Sequence, residues 1–532
     1  MKIKSLLFAA LAFVPAVLSA QVIEGDVLVR GDGVPKDYKI PEGIREIAPN
    51  AFATSSVRSI ECPASLEVIG QCAFFYATEL KSVTFAPNSK LKTIGEQAFS
   101  DCTNLETIEL PNSVDSIGVN AFVLCENLKK ITIPTGLRKL SRSTFMSCSN
   151  LMKVKFPETL KEIDETCFAN CVSLTSLTLT GVEIIGERAF YNCKVLTNVK
   201  LKEGLKEIKD NAFQRCIAIE TLELPATIEK TGAKLFLQCP EFDGFTVVAD
   251  SKYMMADGGV LYSKDKTTLY ECPQTAKSDN FVVPAETKLI RSMAFFECQD
   301  IKAITLPKNL EKVGTGALSN NGMATFNFTT NDYLIYEDNA LYYRSQNGNG
   351  LYLMAIPCKG TKTEFLLQPK TSYIADYAFS YNNSMQKVSL PDPVIGIGPR
   401  AFYACHGLKD IYSYRKTAPT LGEEVFGDVE FNKVYLHVRK GSEKSYADNN
   451  WLFLWGDNIE GDYPDVVDAI KGVTTASAKL TVVRLNAAEV RLTADTNISS
   501  VELYNAAGGL VSENKQLGSN EVVLTLPHRG IY

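Results

Sequence analysis

Cysteine and histidine are the side chains best able to attack a substrate or hold a metal, and this 532-residue chain has 14 cysteines but only 3 histidines. His406, His437 and His528 are scattered, which argues against a histidine-centred triad or a zinc site. No Cys-x-x-Cys occurs, and Cys167 and Cys171 stand four apart with no histidine beside them. Phosphate-cradling loops and dinucleotide fingerprints are absent from the sequence. No pair of carboxylates is singled out for glycoside chemistry. The acidic run Asp457, Glu460, Asp462, Asp465 and Asp468 lacks the spacing of a calcium loop and reads as a solvated boundary. These residues predict neither catalysis nor a cofactor, so the cysteines need another explanation.

Nine of them, Cys102, Cys125, Cys148, Cys171, Cys193, Cys216, Cys239, Cys298 and Cys405, follow by three residues the aromatic of a recurring Ile-Gly-x-x-Ala-Phe motif. The aromatics are Phe52, Phe74, Phe99, Phe122, Phe145, Phe168, Phe190, Phe213, Phe236, Phe295, Phe379, Phe402 and Phe426, with Leu318 substituting once and most gaps 22 to 25 residues. Self-similarity at such a period marks a stacked repeat. In Leu105-x-x-Ile108-x-Leu110-Pro111 the alternation predicts a short strand with Ile108 and Leu110 inward, Thr107 and Glu109 outward, and Pro111 as its stop. Val114 and Ile117 lead to Gly118, where a sharp turn is expected, and Glu-x-Ala-Phe is expected to form one helical or 3₁₀ turn. One unit cannot bury its apolar face alone, so units must stack, each lending a strand to a parallel sheet with rungs about 4.8 Å apart. Cβ atoms one rung apart are too distant for the roughly 3.8 Å of a disulfide, so the nine cysteines are expected to be free thiols in the core. Ser55, Ala77, Asn321 and Asn382 fill the same slot, which suggests that it requires small size; Cys62 and Cys167 take other core slots.

The units resemble the BspA-type leucine-rich repeats of bacterial surface proteins, marked by I-G-x-x-A-F-x-x-C-x-x-L-x-x-[IV]-x-[LIF]-P, over residues 38–427. The resemblance implies a leucine-rich repeat solenoid: a right-handed superhelix with a parallel sheet and short helical or 3₁₀ turns, entered through an N-terminal cap at 21–37. Enlarged repeats are expected near 240–283 and 322–368, where GGVLYSKDKTTLYECP (258–273) and NALYYRSQNGNGLYLMAIP (339–357) each read as a hairpin, the second around Asn347-Gly348. Residues 428–462 look like the family's terminal cap, with Trp451 and Trp455 covering the last rung.

Residues 1–20 carry Lys2 and Lys4 ahead of an apolar core and end in small residues before Gln21, the build of a cleaved secretory signal. No later stretch is long and apolar enough to span a membrane. The net charge of −6 is mild for this length and gives no reason to expect nucleic acid as a partner. Residues 466–532 alternate in AKLTVVRL, VRLTA, VELYNAAGGLV and EVVLTLP, which predicts a small β-sandwich. That module resembles the C-terminal sorting domain of type IX secretion at Val501, Leu503, Tyr504, Gly508, Leu526, Gly530, Ile531 and Tyr532. It departs from the pattern at Gly509, where a basic residue is expected, and the sequence ends where the last strand should begin.

Three features are candidates for binding. Lys130, Lys153, Lys155 and Lys200 take outward strand slots and form either a basic patch or ordinary solvated lysines. Tyr262, Tyr270, Tyr342, Tyr343 and Tyr352 lie in the enlarged repeats, where tyrosine suits interfaces and sugar stacking or simply packs. Arg30-Gly31-Asp32 is an integrin-type tripeptide in what reads as a hairpin turn. The expectation is a non-enzymatic, secreted or cell-surface, adhesin-like protein that binds extracellular or surface proteins. The alternative is a surface carbohydrate-binding protein that captures glycans for nutrition.

Overall fold

The computed structural model describes residues 22–345, 350–430, 433–451, 458–463, 480–486, 489–504 and 510–525. Two compact units divide the chain: one runs to residue 277 and includes 290–298, and the other takes 278–289 and everything from 299 onward.

The first unit is a parallel β-solenoid in which each coil gives two strands. The longer strands, such as Asp37–Lys39, Ser59–Cys62, Ser82–Phe85 and Thr107–Ile108, pair in parallel register from coil to coil. Ile108 is buried while Thr107 and Glu109 are exposed, as the alternation predicts. A second ladder of two-residue strands runs through Glu46–Ile47, Val68–Ile69, Thr93–Ile94 and Ser116–Ile117. Two residues are too few to display a period, so this ladder is invisible in the sequence.

Gly118 stands between the strand Ser116–Ile117 and the turn that begins at Val119, without itself being left-handed. A Cβ there would lie 2.4 Å from the Glu96 nitrogen of the preceding coil, so the glycine answers to close approach of backbones. Where Ser141 takes the same slot, its hydroxyl donates to Ile117 O at 2.6 Å.

The Ala-Phe segment has the i→i−3 bonds of the expected 3₁₀ turn, with Ala98 N to Gly95 O at 3.3 Å and Cys102 N to Phe99 O at 3.3 Å. It nevertheless forms successive turns and not a helix, because Gln97 (φ 54°) and Asp101 (φ 60°) are left-handed. That conformation costs about 1–2 kcal/mol per non-glycine residue. It is held by lateral bonds, in which Gln97, Phe99 and Asp101 donate to Val119, Ala121 and Val123 of the next coil at 3.0, 2.8 and 2.9 Å. Between these ladders the rings from Phe52 to Phe236 stack face to face, with centroids 4.8 to 5.5 Å apart.

The enlarged repeat of this unit holds the expected hairpin, Val260–Ser263 with Thr268–Glu271, and a third antiparallel strand, Met254–Asp257, that the sequence reading lacked. Gly258 (φ 55°) and Gly259 (φ 80°) supply the extra tight turn. The meander also interrupts the lateral ladder: the amides of Leu235 and Phe236 find the Glu271 carboxylate, at 3.0 and 3.2 Å, where other coils offer carbonyls. Gln238 N likewise donates to Glu297 Oε2 at 3.0 Å.

The second unit repeats the scheme. Its long strands include Glu364–Leu366, Lys387–Leu390, Asp410–Ser413 and Tyr435–Arg439, and its rings Phe379, Phe402 and Phe426 stack at 4.6 and 5.1 Å. Its enlarged repeat is again a three-stranded meander, Leu334–Glu337, Ala340–Arg344 and Leu351–Ala355, with Asp338 (φ 55°) and Asn339 (φ 60°) making the turn that the sequence reading lacked. Trp451 is fully buried edge-on against Phe426, 6.0 Å between centroids, and donates to Pro419 O at 2.9 Å, so it covers the last ring as expected. The described tail is one antiparallel sheet of Leu480–Asn486, Glu489–Tyr504 and Leu510–Thr525. The leader at 1–20, Asn347-Gly348, Trp455, Asp457, Asp465, Asp468, Gly508, Gly509, Leu526, His528, Gly530, Ile531 and Tyr532 lie outside the described residues.

Candidate functional site

All fourteen cysteines are free, and every one but Cys72 is buried. Each thiol of the motif series from Cys102 to Cys239, and Cys405, donates to the carbonyl of the preceding coil's aromatic at 3.0 to 3.4 Å, as in Cys125 Sγ to Phe99 O at 3.1 Å. Cys298 makes longer contacts, 3.5 Å to Pro273 O and 3.7 Å to Cys272 O. The slot does not demand a donor, since Ala77 has none and Ser55 Oγ and Asn321 Nδ2 find no partner among the described residues, although Asn382 donates to Pro357 O at 2.9 Å. Burial pushes the Cys125, Cys171 and Cys216 thiols well above the ordinary range, which is the opposite of what a nucleophile needs. Native protein is accordingly expected to expose at most one thiol, Cys72, to an aromatic disulfide reagent, and all fourteen after unfolding; absorbance titration reads both values.

Arg30-Gly31-Asp32 does not form the expected hairpin turn. The turn lies earlier, at Gly25 (φ 65°), between Val22–Glu24 and Val27–Arg30. Gly31 ends the phenylalanine column: its amide donates to Ala51 O at 2.8 Å, and a Cβ there would meet the Phe52 ring at 2.2 Å. Arg30 and Asp32 grip each other through two bonds of 2.7 and 2.8 Å.

Of the tyrosines, Tyr262 and Tyr342 are corrected from surface candidates to core residues. Both are buried, and Tyr342 Oη accepts from Gln368 N at 3.4 Å. Burial raises both phenols well above their ordinary range. Tyr270 is half-buried beneath the Arg291 guanidinium, 5.2 Å from the ring centroid, and Tyr352 packs edge-on against Tyr373 at 6.1 Å. Tyr343 alone of the five lines an open groove.

The lysines are brought together in part. Lys130 stands directly opposite Lys153 in parallel register, and Lys155 stands opposite Thr132. All three are exposed, and none forms an ion pair among the described residues. Lys200 pairs with Thr178 of the intervening coil and so lies two coils beyond Lys155. The histidine of the second unit's sheet, His437, stacks on Tyr412 at 4.2 Å and faces Asp410 Oδ1 at 3.0 Å. No group of three or more metal-ligating side chains converges among the described residues.

The groove belongs to the second unit. It encloses about 580 Å³ between Asp332, Tyr333, Ile335, Tyr343, Arg344, Ser345, Gly350, Leu351 and Lys370. Sequence reasoning missed Tyr333 because the strand Leu334–Glu337 that it leads into was not recognised, and it missed Arg344 and Lys370 because only the fold brings the end of Ala340–Arg344 and the start of Thr371–Ile374 beside it. The available signal was Asn331, a residue suited to starting a turn by bonding its own backbone two residues on.

The model of the BspA type leucine rich repeat region matches residues 45–175, 161–255, 267–349 and 361–451, in six copies. The chain belongs to the BspA-type leucine-rich repeat family. No curated protein matches it. Among solved structures, this BspA-type protein is similar to a leucine rich cell surface protein from Faecalibacterium prausnitzii A2-165, at 21% identity over 76% of this chain and 95% of that one, TM-score 0.45. A leucine-rich repeat protein from Bacteroides ovatus ATCC 8483 is 20% identical over 79% and 90%, TM-score 0.41. The pneumococcal vaccine antigen PcpA is 19% identical over 83% and 95%, TM-score 0.30. No helix among the described residues is long and apolar enough to cross a membrane.

Proposed function

We propose that this BspA-type protein is a non-enzymatic, secreted or surface-displayed binding protein of adhesin type, whose outward strand slots contact proteins of a host matrix or of other cells. The carrying observation is the uncompensated trio Lys130, Lys153 and Lys155 on adjacent coils. Like charges directly opposite across a ladder destabilise it, so folding alone disfavours this arrangement. An acidic partner reverses the sign of that contribution. The core slots hold the coils in place, and a rigid scaffold keeps the ordering cost of binding low. Export is supported by the secretory-type leader at 1–20 and the sorting-like pattern at 466–532.

The test is binding of the secreted full chain to a panel of extracellular-matrix proteins. Lys153→Glu with Lys155→Glu is expected to weaken capture at least tenfold at low ionic strength and to flatten its salt dependence. Undiminished binding by that variant would remove the sheet face from the interaction. Deleting 466–532 is expected to abolish surface display, and unchanged display would count against a sorting role.

A further inference from the structure

The groove of the second unit is built from four chain segments. Asn331 Oδ1 accepts from the amides of Tyr333 and Leu334 at 2.9 and 2.8 Å, and its Nδ2 donates to Lys308 O and Leu310 O at 2.9 and 2.8 Å. The backbone that carries Tyr333 is thereby fixed before any ligand arrives. Arg344 N donates to Tyr333 O at 3.0 Å, Ser345 N to Gly350 O at 3.0 Å, and Leu351 N to Lys370 O at 2.9 Å, so the other segments are tied to the same frame. Tyr333 is 45% exposed, while Arg344 and Lys370 are exposed and form no ion pair among the described residues.

A volume of about 580 Å³ lies inside the roughly 300–1,000 Å³ range of small-molecule sites. Its lining combines two tyrosines, an apolar floor of Ile335 and Leu351, and two cations against the single carboxylate of Asp332. A tyrosine ring offers a sugar an apolar face with a hydroxyl at its edge. A guanidinium offers a carboxylate a planar two-pronged donor, and an ammonium adds a point charge. A purely apolar ligand would leave both cations unanswered, and a neutral sugar would use only the Tyr333 ring.

We propose that this groove binds a short oligosaccharide of the uronic-acid class, with a sugar face on Tyr333 and the acid group on Arg344 and Lys370. The site uses none of the first unit's lysines and does not depend on the protein-binding reading.

The experiment is calorimetric titration of the secreted full chain with a galacturonic-acid trisaccharide, a galactose trisaccharide and a tetraglutamate peptide at low salt. The acidic sugar is expected to bind at least tenfold more tightly than either of the others. Arg344→Ala with Lys370→Ala, and separately Tyr333→Ala, are expected to weaken it at least tenfold while leaving the melting temperature unchanged. Lys153→Glu with Lys155→Glu should leave it intact. No binding of the acidic sugar, equal binding by the groove variants, or equal binding of tetraglutamate would each overturn the proposal.

Discussion

Phe190→Ala is expected to destabilise the first unit by about 3–5 kcal/mol, the usual range for emptying a buried aromatic site. The ring is wholly buried between Phe168 and Phe213, 5.5 Å from each and within 3° and 6° of parallel. Its loss removes two stacking contacts as well as the area it buries. Collapse cannot close the gap, because the lateral bonds set the coil spacing: Phe190 N donates to Ala212 O at 2.9 Å and Phe168 N to Ala189 O at 2.8 Å. In a solenoid, stability is carried by nearest-neighbour interfaces, so the defect should also uncouple the coils on its two sides. Urea unfolding should broaden or split, and amide exchange should accelerate first around Phe190. Phe190→Leu should lose much less. A single sharp transition shifted by less than about 1 kcal/mol would contradict the view that the ring column transmits cooperativity.

Glu271 carries the second large effect. Its carboxylate is buried and accepts from both Leu235 N and Phe236 N, so Glu271→Ala strands two buried donors at about 1–3 kcal/mol each. Burial raises its pKa from 4.5 to about 7, against the opposing pull of the two amides and of Arg291. Because the folded value lies above the unfolded one, the folded protein holds the proton more tightly in that window. The contribution is fully present below pH 4.5 and is lost as pH rises towards about 7, by on the order of 3 kcal/mol. Paired carboxylates such as Glu183, held low by Lys206 and Lys161, slope the other way, so the comparison must be with Glu271→Gln. That variant gives up one carboxylate acceptor but has no proton to lose, so the wild-type minus variant difference should shrink from pH 4.5 to pH 7.5. Urea midpoints at both pH values measure it, and a constant difference would mean that Glu271 is ionised throughout.

The two predictions rest on features of different legibility. Phe190 was visible as a core residue because its aromatic recurs at a fixed interval, and a recurring side chain in a stack of identical coils has nowhere to go but onto its own copies. Glu271 was not visible as a ladder residue. A lone glutamate in Leu-Tyr-Glu-Cys-Pro reads as an ordinary strand residue, and its task exists only because the meander interrupts the lateral bonds of the coil before it. The same contrast runs through the binding candidates. Lys130 and Lys153 were placed on one face by counting along strands, and the parallel register brings them opposite each other. Tyr262 and Tyr342 were placed in hairpins correctly, yet the side of the hairpin that meets the core was decided by strands the sequence did not announce.

What the sequence determined by itself was the periodic part: the coil, the buried ring and thiol columns, and the outward slots left free for recognition. Periodicity suffices there because every coil meets a near copy of itself, so a local pattern dictates its own tertiary neighbour. Only the tertiary structure decided what happens where the copies stop matching: the carboxylates that replace a missing rung, the glycine that ends the ring column at Gly31, and the groove around Tyr333. At those places the partner of each group comes from a segment with no repeat to predict it, and only the folded chain brings the two together.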